Sequence, residues 1–170
     1  MTNMKKKICC NKKILFRYEP IKKDIPKIKS LLISTGFFSN PEISTAIELI
    51  SEKLHLGNNS SYQFILALKD EILIGYSCYG LIPLTESSFD LYWIAVDPAF
   101  HGKGIGKLIL KNTEEKIKEA HGTRIYVDTS SRKQYMPTRN FYKSCAYKKA
   151  GYFPDFYSKG DGKIIFTKKL

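Results

Sequence analysis

A single α/β (α+β) domain is the fold this chain predicts, and three observations lead there. Runs with strand character alternate with runs of helical spacing along most of the length. One apolar run, Phe89 to Val96, leads through a glycine-bearing loop, His101-Gly102-Lys103-Gly104-Ile105-Gly106, into a helix-like run, Lys107-Leu108-Ile109-Leu110. The 170 residues, 43% of them hydrophobic, fit one domain with a real core.

The elements follow in order. Ile14 to Tyr18 reads as a strand, broken over Pro20 to Asp24, and Ile25 to Leu32 as a short helix closed at Gly36. Pro41 to Leu56 is a firmer helix: Ile43, Ala46, Ile47, Ile50 and Leu54 recur at helical spacing, and Gly57-Asn58-Asn59 ends it. Tyr62 to Leu68 and Ile72 to Leu81 form a hairpin across Lys69-Asp70-Glu71. Phe89 to Val96 is the central strand. Ile105 to Ala120 is the helix after the loop, with Ile105, Leu108, Ile109 and Ile117 facing in. Arg124 to Thr129 returns as a strand, so residues 89 to 129 make a strand-helix-strand crossover that is parallel and right-handed. Pro137 to Ser144 is the last helix. Tyr147 to Ala150 and Lys163 to Lys168 are closing strands around a loop from Gly151 to Gly162.

Charge divides the chain unevenly. Met1 to Lys29 carries ten Lys/Arg against two Asp/Glu, which is most of the net +12. Residues 1–13 therefore read as a basic leader and 14–170 as the domain, and a solvated leader accounts for the charge better than a nucleic-acid surface does. The apolar stretch after Lys5-Lys6-Lys7 is cut short by Asn11-Lys12-Lys13, so no signal peptide or membrane span is expected. Cys9, Cys10, Cys78 and Cys145 show neither C-x-x-C spacing nor a nearby histidine pair. A reduced, cytoplasmic setting without disulfides or metal follows. Cys78 belongs to a core strand, and Cys145 lies near the last helix.

The glycine loop carries the chemistry. Glycines let a ligand approach the backbone, and the free N–H groups of a helix start attract an anion, so a phosphate-bearing cofactor is expected. A dinucleotide fingerprint would need glycine where Lys107 stands, although Asp128 lies at about the right distance for a ribose-binding acid. A nucleotide-triphosphate loop would need one more residue between Gly102 and Gly106, and Ser or Thr where Leu108 stands. Without a G-x-S-x-G elbow, His55, His101 and His121 have no serine to serve.

Val96-Asp97-Pro98 followed by His101 through Gly106 resembles motif A of the GNAT superfamily of acetyl-CoA-dependent acyltransferases, Q/R-x-x-G-x-G/A after a strand ending V-x-P. Thr138-Arg139-Asn140-Phe141-Tyr142, running on to Ala146-Tyr147, resembles the family's T-x-x-F-Y helix-to-strand junction. His101 replaces the usual Gln or Arg. Ala146 replaces a glycine and tolerates a left-handed cap less well. The resemblance implies a mixed, mostly antiparallel sheet with one parallel crossover, helices on both faces, and two parallel strands that splay to admit acetyl-CoA as co-substrate. It further implies pantetheine contacts from the backbones of Ile94, Ala95 and Val96, and a pyrophosphate cradle from His101, Gly102, Lys103, Gly104, Ile105, Gly106 and Lys107. Ser131 stands near a loop asparagine that contacts the cofactor in many relatives. The two lysines also read as ordinary surface residues, and Ser131 as part of a helix-opening turn.

For catalysis the resemblance implies Tyr142 as general acid at the sulfur, and Asp90 as general base acting through water. Tyr142 also reads as a core aromatic, and Asp90 as a solvent-facing strand residue. Strand alternation places Asp90 on the face of Tyr92 and Ile94, opposite Leu91 and Trp93. Asp128, Thr129, Ser130, Arg132 and Tyr135 gather near the mouth. The acceptor side falls to residues 35–39 and 154–162, where aromatics around Asp155 suit a cationic amine. The function expected is N-acetyl transfer to a primary amine, small-molecule or peptide, by direct attack in a ternary complex, with a homodimer as the expected assembly. The rival is a non-catalytic module on the same fold that binds acyl-CoA, nucleic acid or an acidic partner.

Overall fold

The computed structural model describes residues 13–170, so the basic leader, apart from Lys13, lies outside the described residues together with Cys9 and Cys10. Seven strands and four helices alternate: β1 (Leu15–Arg17), α1 (Asp24–Thr35), α2 (Asn40–Leu56), β2 (Gln63–Lys69), β3 (Ile72–Leu81), β4 (Ser88–Val96), α3 (Ile105–Glu119), β5 (Arg124–Ser130), α4 (Met136–Ser144), β6 (Lys148–Ser158) and β7 (Asp161–Lys169). The strands form one sheet in the order β1-β2-β3-β4-β5-β7-β6. Only β4 and β5 pair in parallel, and α3 makes the crossover between them.

Alternation along the strands builds two cores. On β2, Ile65 and Ala67 join Ile105, Ile109, Leu110 and Ile117 of α3, with Tyr142 of α4. Phe64 and Leu66 face the other way, onto Ile28, Leu31 and Leu32 of α1 and Ile43, Ala46 and Ile50 of α2. Helices therefore cover both faces, as expected. One inward assignment on α3 differs. Leu108 is 41% exposed, and Leu110 and Thr113 are buried in its stead. Thr113 earns its place by a hydroxyl contact of 2.7 Å with the equally buried Ser77.

Local chemistry sets the helix ends. Ser39 caps α2 in a reciprocal capping box with Glu42, and Pro41 occupies the first turn. Asp24, fully buried at the start of α1, takes a two-pronged bond from Arg17 of β1 at 2.7 and 2.8 Å and also accepts from Ile21 N–H. That bond ties the edge strand to the first helix.

The largest departure is at the C-terminal end. Residues 151–162 form a long hairpin, with β6 running to Ser158 and β7 starting at Asp161. Gly151 and Pro154 read as breakers in sequence, but β6 is the sheet edge, where one side of the backbone needs no partner and proline is tolerated. Gly151 pairs with Ile165 after a register slip that leaves out Ala150, and Pro154 falls in the second slip, between Phe153 and Ser158.

Candidate active site

β4 and β5 pair only at Ser88–Arg124, Phe89–Ile125 and Asp90–Tyr126, and beyond Asp90 they part. β5 stays paired with β7 through Ser130, and β4 with β3 through Val96. The gap therefore opens along one edge of each strand. In the β3 register Cys78 faces Trp93 and Tyr79 faces Leu91, so Tyr92 is an extra residue, a β-bulge.

The bulge reverses the faces beyond it. Phe89 and Leu91 pack on the α3 side, whereas Tyr92, Trp93 and Ala95 pack on the α1/α2 side and Ile94 and Val96 turn back to α3. Asp90 thus shares its face with Tyr92 and Trp93 and not with Ile94, which corrects the strict alternation read from sequence. Backbone polarity follows. Asp97 N–H bonds Ile74 O at 2.9 Å, so alternate residues Ala95 and Trp93 also point their N–H and C=O at β3, and Ile94 and Val96 point theirs into the gap. Ala95, expected to offer its backbone to the cofactor, has it engaged with Tyr76.

At the end of the gap lies the glycine loop. Gly102 and Gly104 have φ of 72° and 78°, a region closed to most side chains, and Gly104 is the N-cap of α3. The first bond of α3 runs from Leu108 N–H to Gly104 O at 3.1 Å. Among the described residues no backbone oxygen takes the N–H groups of Gly102, Lys103, Gly104, Ile105, Gly106 or Lys107. His101 is the exception in this run, since its N–H is taken by Pro98 O at 3.1 Å. Its ring Nε2 lies 2.8 Å from Val96 O and ties the loop to the end of β4. Gly106 contributes by packing, because a Cβ there would stand 3.2 Å from the Phe141 ring. Lys103 folds back onto Ala99 O at 2.8 Å and over the Phe100 ring.

A cavity of about 820 Å³ runs from this gap towards α1 and α2. Ile94, Ala95, Val96 and His101 line it on one side, Val127 to Ser130 on another, and Tyr142 closes it. Tyr142 is 3% exposed and packs among Phe141, Tyr147 and Phe166. Among the described residues its hydroxyl has no hydrogen-bond partner. Burial, with the Cys145 thiol a lesser cause, pushes its pKa up, so the phenol holds its proton at neutral pH.

Two expected residues lie behind the wall. Asp90 is half-buried and does not line the cavity. Its carboxyl is raised by burial first and by Asp128 second, with Lys163 opposing. Asp128 does line the cavity and is ion-paired with Lys163. The Ser131 hydroxyl accepts from Gly162 N–H at 2.7 Å and stitches β5 to β7, while Ser130 reaches the wall. Asp155, placed in sequence among the acceptor aromatics, caps its own turn by accepting from Gly160 N–H at 2.6 Å and stays off the wall. Tyr157 reaches the cavity in its stead.

Glu42 and Gln134 line the cavity without having been marked in sequence, and Trp93, Thr138 and Asp161 line it although sequence assigned them no role of their own. Glu42 did leave a trace there. Its position three residues after Ser39 is a capping box, which directs the carboxylate back to the loop after α1. No cluster of three or more His, Cys, Asp or Glu suited to a metal occurs among the described residues. No helix among them is long and apolar enough to cross a membrane.

Comparison with known proteins agrees with this geometry. The model of the Acetyltransferase (GNAT) family matches residues 28–147. A solved GNAT-family protein from Desulfovibrio desulfuricans is 34% identical, with 92% of this chain and 99% of that one covered and a TM-score of 0.91. PaiA N-acetyltransferase from Thermoplasma acidophilum, solved with coenzyme A, is 20% identical over 93% of this chain and 99% of its own, with a TM-score of 0.72. The ribosomal-protein-S18-alanine N-acetyltransferase of Escherichia coli is 13% identical over 93% and 94%, with a TM-score of 0.74. Comparison with curated protein sequences finds no significant match.

Proposed function

Because the chain belongs to the GNAT family of acetyltransferases, we propose that it moves an acetyl group from acetyl-CoA to a primary amine by direct attack within a ternary complex. The observation that carries this reading is the parted β4–β5 edge, with free N–H groups at its end and the Tyr142 side chain on its wall.

The residues fit coenzyme A. The N–H groups of Gly102 to Lys107 hold the pyrophosphate, with the helix dipole of α3 behind them and Lys103 and Lys107 near. Ile94 pairs with the pantetheine amides. Val96 C=O is held by His101, and Val96 N–H, which points into the gap, polarises the thioester carbonyl. When bound, acetyl-CoA supplies the activated acyl group.

The amine nitrogen forms its bond to the acyl carbon as the bond from that carbon to sulfur breaks. Tyr142 gives its proton to the departing thiolate and regains one from solvent. The amine's proton passes through water to the carboxylate pair, Asp128 facing the cavity and Asp90 behind it. Burial keeps Tyr142 protonated for this step.

Thiol release with a panel of amines tests the reading. Tyr142→Phe should lower kcat by roughly 10²-fold or more with little change in affinity for acetyl-CoA. An unchanged kcat would remove Tyr142 from the mechanism, and no thiol release with any amine would remove the activity.

A further inference from the structure

We propose that the acceptor carries a second positive charge besides the reacting amine, and that the cavity holds it between Glu42 and the rings of Tyr135 and Tyr157. The inference rests on the acetyl-transfer reading and names the class of amine that this site takes.

Three carboxylates line the cavity, and two are already neutralised. Asp128 pairs with Lys163, and Asp161 pairs with Arg132 at 2.9 Å and accepts from the Ser130 hydroxyl. Glu42 is different. Its Oε2 accepts from Ser39 N–H and from the Ser39 hydroxyl, both at 2.7 Å, while Oε1 takes part in neither bond. Among the described residues no Lys or Arg lies within ion-pair distance of it. The N-terminus of α2 offsets its charge by at most about half an elementary charge, so the carboxylate keeps negative charge to offer a cation in the cavity.

Aromatic rings frame that carboxylate. Tyr135 and Phe37 stand 6.2 Å apart, and the Tyr135 hydroxyl donates to Phe37 O at 3.4 Å, fixing the ring beside the start of α2. Tyr157 lines the same wall. Both phenols are raised by burial first; Glu42 is the next cause for Tyr135, whereas for Tyr157 Asp128 and Asp161 come before it. Arg132 lies 5.8 Å over the Tyr135 ring, so a ligand cation would have to meet Tyr135 away from that guanidinium. The Tyr142 side chain, which carries the proposed acid, lines the same cavity, so a cation held at Glu42 and the reacting amine share one space. A carboxylate held by its own helix cap, with the Tyr135 ring anchored near that helix start and Tyr157 on the same cavity wall, is a site for an organic ammonium.

The test compares n-butylamine with the matching diaminobutane as acceptors for the full chain and for Glu42→Gln. Glutamine keeps the capping box and removes the charge, and an unchanged Tm confirms that the helix survives. The wild type should favour the diamine by about tenfold in kcat/KM, as a single charged contact predicts. In Glu42→Gln that preference should fall to near unity. Equal turnover of the two amines by the wild type, or a preference that survives in Glu42→Gln, overturns the proposal and leaves the transferase standing. If no amine releases thiol although acetyl-CoA binds, the transferase reading falls and this one falls with it.

Discussion

Asp90 shows how one carboxyl joins stability to chemistry. Burial and the neighbouring Asp128 raise its pKa above the ordinary value of 3.8. A carboxyl raised on folding binds its proton more tightly in the native chain than in the unfolded one, so ionisation weakens the fold. That penalty is absent below the unfolded value, grows as pH rises through the folded value, and is complete above it. Asp90→Asn escapes it. Thermal melts should therefore show the variant at or above the wild type at neutral pH, with the difference vanishing as pH falls towards about 4. If Asp90 shares the amine's proton with Asp128, the same variant loses activity while gaining stability, the usual trade at a functional group. A melt in which the variant is less stable at neutral pH and regains parity in acid would reverse the assigned direction.

The junction of α4 and β6 carries strain that belongs to the element. Cys145 N–H bonds Phe141 O at 3.1 Å, and Tyr147 N–H returns to Tyr142 O at 3.0 Å. The turn this requires puts Ala146 at φ 67°, a left-handed conformation that a Cβ makes unfavourable by about 1 kcal/mol. The substitution of alanine for the family's glycine was visible in sequence, and the structure shows that the turn is kept, with alanine strained in it. Ala146→Gly should raise stability by roughly 1 kcal/mol in denaturant melts. No gain would mean that contacts of the methyl group offset the strain. The bulge in β4 is the contrasting case, since nothing in Leu91-Tyr92-Trp93-Ile94 marks which residue is extra. Pairing with β3 decides it.

At the scale of the molecule, the proposed function depends on two parallel strands that join at one end and part at the other. Ligand binding at that gap should couple to the whole fold. Acetyl-CoA at about 100 times its dissociation constant should add about 2.7 kcal/mol, read as a Tm rise of roughly 5–10 °C. A melt indifferent to acetyl-CoA would refute occupation of the gap.

Much of this was legible in the residues alone, because it depends on local physics. Periodicity located the helices and most strands, and Gly102 and Gly104 marked a loop that only glycine accommodates. What the chain folded in space decided was of another kind. The breaker-rich stretch 151–162 became strand because it lies at a sheet edge, Asp90 fell behind the wall because it sits where β4 is still paired with β5, and Ser131 was drawn to Gly162 because β7 lies beside β5. Those outcomes turn on which neighbour a backbone meets across the sheet, and neighbours distant in sequence leave no local mark.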